Sequence, residues 1–138
     1  MIFNASNIEV VESINNWEEA IRKASENLIK NKYIEERYVE AMISSVKKLG
    51  FYIVLADLIA MPHARPENGV LKTGVSFLKL NNAVKFGEND VKFIFVLAAI
   101  NSDSHIDTIK ELMKIFQNEN KMKKLENVKT KEEILAII

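Results

Sequence analysis

The run from Val91 to Ala99 constrains the fold more than any other part of the chain, because it is apolar at nearly every position. A strand with one face in water alternates polar and apolar residues. An almost unbroken run is a central strand covered on both faces. Its uninterrupted part, Phe93 to Ile100, is far short of the ~20 residues that a membrane-spanning helix requires. Such a strand needs helices on both sides, and the sequence places helical stripes before and after it.

Before it, Trp17, Ala20, Ile21, Ala24 and Leu28 recur at helical spacing, predicting a helix that runs to about Lys30. Asn15, with Glu18 three positions on, resembles a capping box at its start. A second helix is expected from Glu35 to Leu49, on the stripe Tyr38, Ala41, Met42, Val46 and Leu49, with Gly50 at its left-handed C-terminal cap. After the central strand, Ser104 and Asp107 form a capping-box pattern. The helix they open carries Ile106, Ile109, Leu112, Met113 and Phe116 on a face expected to be core. A short helix from Glu119 to Leu125 and a last one capped by Thr130 and Glu133 complete the set.

Further strands are expected at Ile8–Val11, Tyr52–Ala56 and Gly74–Leu80. The last of these joins Val91–Ala99 too briefly for a crossover helix, so the two are antiparallel and the sheet is mixed. The expected fold is α/β, a three-layer α/β/α sandwich in a single domain over residues 1–138.

Bulk properties exclude several functions. Lys plus Arg and Asp plus Glu balance at 19 each, which gives no basic excess for nucleic acid or a membrane surface. The chain has no cysteine, so disulfides, thiolate catalysis and thiolate metal sites are excluded. The opening residues MIFNASNIEVVES show neither a basic n-region nor an apolar h-region. A cytoplasmic protein is expected, with any role in transport played through partners rather than by membrane insertion. Lys121, Lys123 and Lys124 read as a solvated face.

The chain has two histidines, both at strand ends, where open α/β sheets bind ligands. His63 lies in MPHARPENG, a segment from Met61 to Gly69 holding both prolines, whose fixed φ angles restrict its shape. His105 is expected at or next to the first residue of the helix capped by Ser104. A phosphoryl carrier needs a neutral imidazole nitrogen to attack, with the other ring nitrogen protonated against an acceptor. It also needs donors and positive charge around the incoming anion. His105 and the N–H groups of its helix start can supply donors, and Arg65 a planar fork of charge. Spacing alone leaves two other readings open. The pair can be ordinary loop histidines, or part of a weak zinc site completed by Glu67 or Asp103, for which the usual spacing signatures are missing.

A chain of ordered motifs adds to this. The segment Ala60-Met61-Pro62-His63-Ala64-Arg65-Pro66-Glu67-Asn68-Gly69-Val70 closely resembles the phosphorylation-site segment of sugar phosphotransferase system (PTS) IIA domains of the mannitol/fructose superfamily. The matches continue through Lys72-Thr73-Gly74-Val75, Val84-Lys85-Phe86-Gly87, Phe95-Val96-Leu97-Ala98-Ala99, Ser104-His105-Ile106 and Thr130-Lys131-Glu132-Glu133-Ile134-Leu135, with Tyr38-Val39-Glu40-Ala41-Met42 upstream. The resemblance covers essentially the whole chain. It implies a phosphotransferase with a phosphohistidine intermediate, carried on Nε2 of His63, and His105 as a second active-site histidine that hydrogen-bonds the phosphoryl group. It implies phosphate from the phosphocarrier HPr, delivery to a cysteine of a IIB domain, and sugar phosphorylation as the membrane component IIC moves the sugar inward. No metal or organic cofactor is implied.

Within the superfamily, mannitol-type domains tend to read Pro-His-Gly and carry an arginine in the second helix, where this chain has Ser45. Pro-His-Ala-Arg-Pro-Glu, with Gly50-Phe51-Tyr52-Ile53-Val54 before it, looks more like the ascorbate-type branch; mannitol, fructose and galactitol are the other sugars considered. Arg65 is expected to take over the charge role of the missing helix arginine. The branch commonly has Pro-Gly shortly before the site, where this chain has Asp57-Leu58, a change that matters because glycine permits positive φ and leucine does not readily. The alternative function is a regulatory IIA-like module whose phosphorylation state controls a protein partner. A shallow apolar rim around His63 is expected for docking, with Met61 and Ile59 as candidate members.

Overall fold

The computed structural model describes residues 3–138. In chain order its elements are β1 (Phe3–Val11), α1 (Trp17–Lys30), α2 (Glu36–Leu49), β2 (Val54–Ala56), β3 (Leu58–Ala60), β4 (Gly74–Phe86), β5 (Asn89–Ala98), α3 (Ser102–Phe116), α4 (Glu119–Glu126) and α5 (Lys131–Ile137). A 3-10 turn, Pro66–Asn68, lies between β3 and β4.

The strands form one mixed sheet in the order β1-β4-β5-β3-β2. β5 is the middle strand, as its apolar run requires. Ile94, Val96 and Ala98 face a core built with α1 and α2. Phe93, Phe95 and Leu97 face a second core built with α3, α4 and α5. The chain is thus an α/β sandwich of three layers with a mixed sheet. β4 and β5 pair antiparallel, while β1 with β4 and β3 with β5 pair parallel.

Several boundaries differ from the expectation, each for a local reason. β1 begins at Phe3 rather than Ile8, because Phe3 packs into the second core despite the polar residues that follow it. The α1 cap is Asn16, whose side chain accepts from the Glu19 N–H, so Asn15 and Glu18 form no capping box. The expected strand Tyr52–Ala56 is a turn up to Ile53 and a strand only from Val54. It pairs with β3, which the sequence reading missed because three residues are too few to show a period. β4 continues past Leu80 to Phe86 through an irregular register between Lys79 and Val84.

Two residues assigned to core stripes lie outside the core: Leu49 is 69% and Ile106 51% exposed. Buried Thr108, Leu112 and Ile115 set the inner face of α3 instead. Gly50 does end α2 with positive φ, at 88°. The tip of the β2–β3 hairpin is Asp57-Leu58, and Leu58 takes φ 69°. The chain therefore holds a left-handed turn with a leucine, a conformation that glycine adopts without strain.

Candidate active site

The topology explains why the two histidines meet. β3 and β5 are parallel neighbours, so the segments leaving their C-terminal ends emerge at the same edge of the sheet. One of these segments carries His63 and the other leads into α3 and His105. The two imidazole rings lie 5.6 Å apart between centroids, inclined at 51°. Both residues are half-buried.

His63 Nδ1 is 3.0 Å from the carbonyl oxygen of Met61. A carbonyl only accepts, so Nδ1 carries the proton and Nε2 presents its lone pair. The surrounding backbone is tied down. The Met61 N–H donates to Ile53 O at 2.8 Å, and the Leu97 N–H donates to Pro62 O at 3.0 Å. The Ala64 N–H donates to the Tyr38 hydroxyl at 2.9 Å, and that hydroxyl donates to Leu97 O at 2.7 Å. The start of α2 braces the rest of the loop: Arg37 donates to Glu67 O and the Glu35 N–H to Gly69 O, each at 2.9 Å. Gly69 has φ 128°, and a Cβ there would stand 3.2 Å from Arg37 Cγ and 3.3 Å from both the nitrogen and the Cβ of Tyr38, so a side chain would be strained and tight against α2.

His105 is not where the sequence placed it. The cap of α3 is Asn101, which makes a reciprocal capping box with Ser104, so His105 is the fourth helical residue rather than the first. Its own N–H donates to Asn101 O at 3.0 Å and is not available to an anion. Ser102 and Asp103 carry the N–H groups without an intrahelical acceptor at this helix start. The imidazole is what His105 brings to the site. Burial, and secondarily the nearness of the His63 ring, pull its pKa below the usual histidine value. The shift favours the neutral imidazole, which has one N–H to donate.

Both histidines open into a crevice of about 530 Å³, shared with Ser45, Leu49, Tyr52, Arg65, Asn101 and Ile106 among others. Arg65 is exposed and forms none of the ion pairs found among the described residues. Ser45, the position compared with a helix arginine, borders the same space. Tyr52 packs edge-on against His63, with centroids 6.0 Å apart. Met61 and Ile59 are buried, 5% and 4% exposed, and cannot form a rim. The rim consists of Leu49, Tyr52 and Ile106, which the sequence reading did not assign to it. For Leu49 and Ile106 the signal was available as apolar residues at the very ends of their stripes.

Among the described residues no group of three or more His, Cys, Asp or Glu side chains is placed to hold a metal ion, which leaves the zinc reading without a third ligand. No helix among them is long and apolar enough to cross a membrane.

The chain is 38% identical over 138 residues to the mannitol-specific cryptic phosphotransferase enzyme IIA component of Escherichia coli (strain K12), covering 99% of this chain and 94% of that one. It is 32% identical over 126 residues to the ascorbate-specific PTS system EIIA component of the same strain, covering 88% and 82%. Among solved structures it resembles a complex of enzyme IIAMTL and phosphorylated enzyme IIBMTL from Escherichia coli, with a TM-score of 0.84, 33% identity, and 98% and 95% of the two chains covered. The family model for the phosphoenolpyruvate-dependent sugar phosphotransferase system, EIIA 2, matches residues 1–138, and the chain belongs to that family.

Proposed function

We propose that this protein is a cytoplasmic, single-domain phosphoryl carrier that accepts phosphate from HPr on His63 and passes it to a cysteine of a IIB domain for sugar uptake. The observation that carries the reading is the hydrogen bond from His63 Nδ1 to Met61 O, which leaves Nε2 as the nucleophile. In the transfer step the Nε2 lone pair forms a bond to phosphorus while the bond from phosphorus to the donor atom of HPr breaks. That donor atom keeps its electron pair. Delivery to IIB reverses the roles, with a thiolate attacking and His63 leaving as neutral imidazole.

His105 donates its single N–H to the phosphoryl oxygens. Once the anion is present, the same contact raises the His105 pKa. Arg65, which lines the same crevice, adds charge in place of the helix arginine, a position held here by Ser45. No step requires a cofactor. The IIB partner is supported by the resemblance to the IIA–IIB complex. The wording of the site segment favours an ascorbate-type sugar, and the identity of the IIB domain that takes the phosphate decides the branch.

The test is incubation with phosphoenolpyruvate, enzyme I and HPr. Acid-labile, alkali-stable phosphate is expected on the wild type and not on His63→Ala. Arg65→Ala is expected to accept phosphate about 10-fold more slowly, the scale of losing one charge-assisted contact. An unlabelled wild type beside active HPr would end the carrier reading, and a normal rate for Arg65→Ala would remove the charge role.

A further inference from the structure

We infer that the Tyr38 hydroxyl is a positioning group for His63, fixing the backbone on which the reactive imidazole is mounted. This rests on the carrier reading for its consequence and on geometry for its substance. Residue 63 is bounded by two peptide units, and each is tied to the same residue of the central strand. The Pro62–His63 unit is held through Pro62 O, which accepts from the Leu97 N–H at 3.0 Å. The His63–Ala64 unit is held through the Ala64 N–H, which donates to the Tyr38 hydroxyl at 2.9 Å. That hydroxyl donates in turn to Leu97 O at 2.7 Å.

A phenol has one proton to give. The contact at 2.7 Å to Leu97 O takes it, rather than Ala64 O at 3.2 Å. Tyr38 is fully buried, so no water competes for these bonds. Its ring belongs to the core beneath the loop, which fixes the hydroxyl as rigidly as the helix that bears it. With both flanking peptide planes pinned to β5, the Cα–Cβ bond of His63 has one direction. The Met61 carbonyl then sets the ring and its tautomer. Removing the hydroxyl frees the second peptide unit, which lets His63 turn away from Met61 and populate the other tautomer, in which Nε2 carries the proton and cannot attack.

The experiment compares wild type with Tyr38→Phe, which keeps the ring and deletes the bridge. Phosphoryl transfer from HPr at saturation is expected to fall about 10- to 100-fold, with half-saturation by HPr changed less than about 2-fold. The imidazole ¹⁵N resonances of His63 are expected to report a single Nδ1–H tautomer in the wild type and a mixture in the variant. A variant that unfolds more easily but keeps the wild-type transfer rate and tautomer would overturn the inference and leave Tyr38 a purely structural tyrosine. If Tyr38→Phe does not fold, amide exchange in the wild type decides. The Ala64 N–H is expected to be protected by at least about 100-fold, and exchange near the unprotected rate overturns the bridge. A wild type that takes no phosphate would defeat the carrier reading, while the tautomer comparison would still settle the role of Tyr38.

Discussion

In the proposed carrier, His63 owes its free Nε2 to Met61, two residues before it, whose carbonyl holds the Nδ1 proton. Tyr38 acts over a longer range and carries a consequence in solution. Burial pushes its phenol up to about 12, against an ordinary value of 10. The folded state therefore binds the phenolic proton more tightly than the unfolded state, and this stabilisation is complete below pH 10. It is lost as pH rises from 10 through 12, amounting to roughly 2–3 kcal/mol. Lys79 moves the opposite way: burial lowers its pKa from 10.5, so its contribution grows with pH in the window just below that value. Urea unfolding of Tyr38→Phe should show a smaller alkaline loss of stability than wild type, and an equal loss would deny that Tyr38 is the titrating group. Little of this was legible in the sequence. His63 stood out from its own loop, whereas Tyr38 looked like any member of a helical stripe. Its two partners lie 26 and 59 residues away, beyond the reach of any local pattern.

At the level of elements, the parallel pairing of β3 and β5 brings the two histidines to one edge. The apolar run of β5 announced a central strand, and the long stripes of α1 and α2 announced their helices. β3 was invisible at three residues, so the reason for the meeting could not be read beforehand. Capping positions moved for a similar cause: Asn15, Asn16, Asn101 and Ser104 are all competent caps, and packing chooses among them. The Asp57-Leu58 turn gives a direct test of backbone strain. Leu58 at φ 69° costs about 1 kcal/mol relative to glycine, offset by the apolar contact its half-buried side chain makes with the second core. Leu58→Gly should leave stability within about 1 kcal/mol of wild type. Leu58→Val, which keeps apolar area but branches at Cβ, should be less stable than the glycine variant by at least about 1 kcal/mol. Equal urea midpoints for the two variants would contradict the left-handed conformation.

For the whole molecule, the sheet end that carries both histidines combines a tightly held His63 backbone with an exposed apolar border. Leu49 at the end of α2, Tyr52 before β2 and Ile106 in α3 come from three separate elements and surround one crevice. On the proposed relay, these exposed residues are the surface that HPr and IIB would bury in turn. Truncating Leu49 or Ile106 to alanine removes apolar area worth about 1 kcal/mol at such an interface. Half-saturation for each protein partner should rise about 5-fold per substitution, with the rate at saturation nearly unchanged. A fall in the saturated rate alone would place these residues in the chemistry instead of the docking. The measurement that bears most directly on the central claim is ¹H–¹⁵N and ³¹P correlation spectroscopy of the protein phosphorylated through HPr. It should show phosphorus coupled to Nε2 of His63, with the proton retained on Nδ1. Phosphorus on Nδ1 of His63, or on His105, would contradict the account.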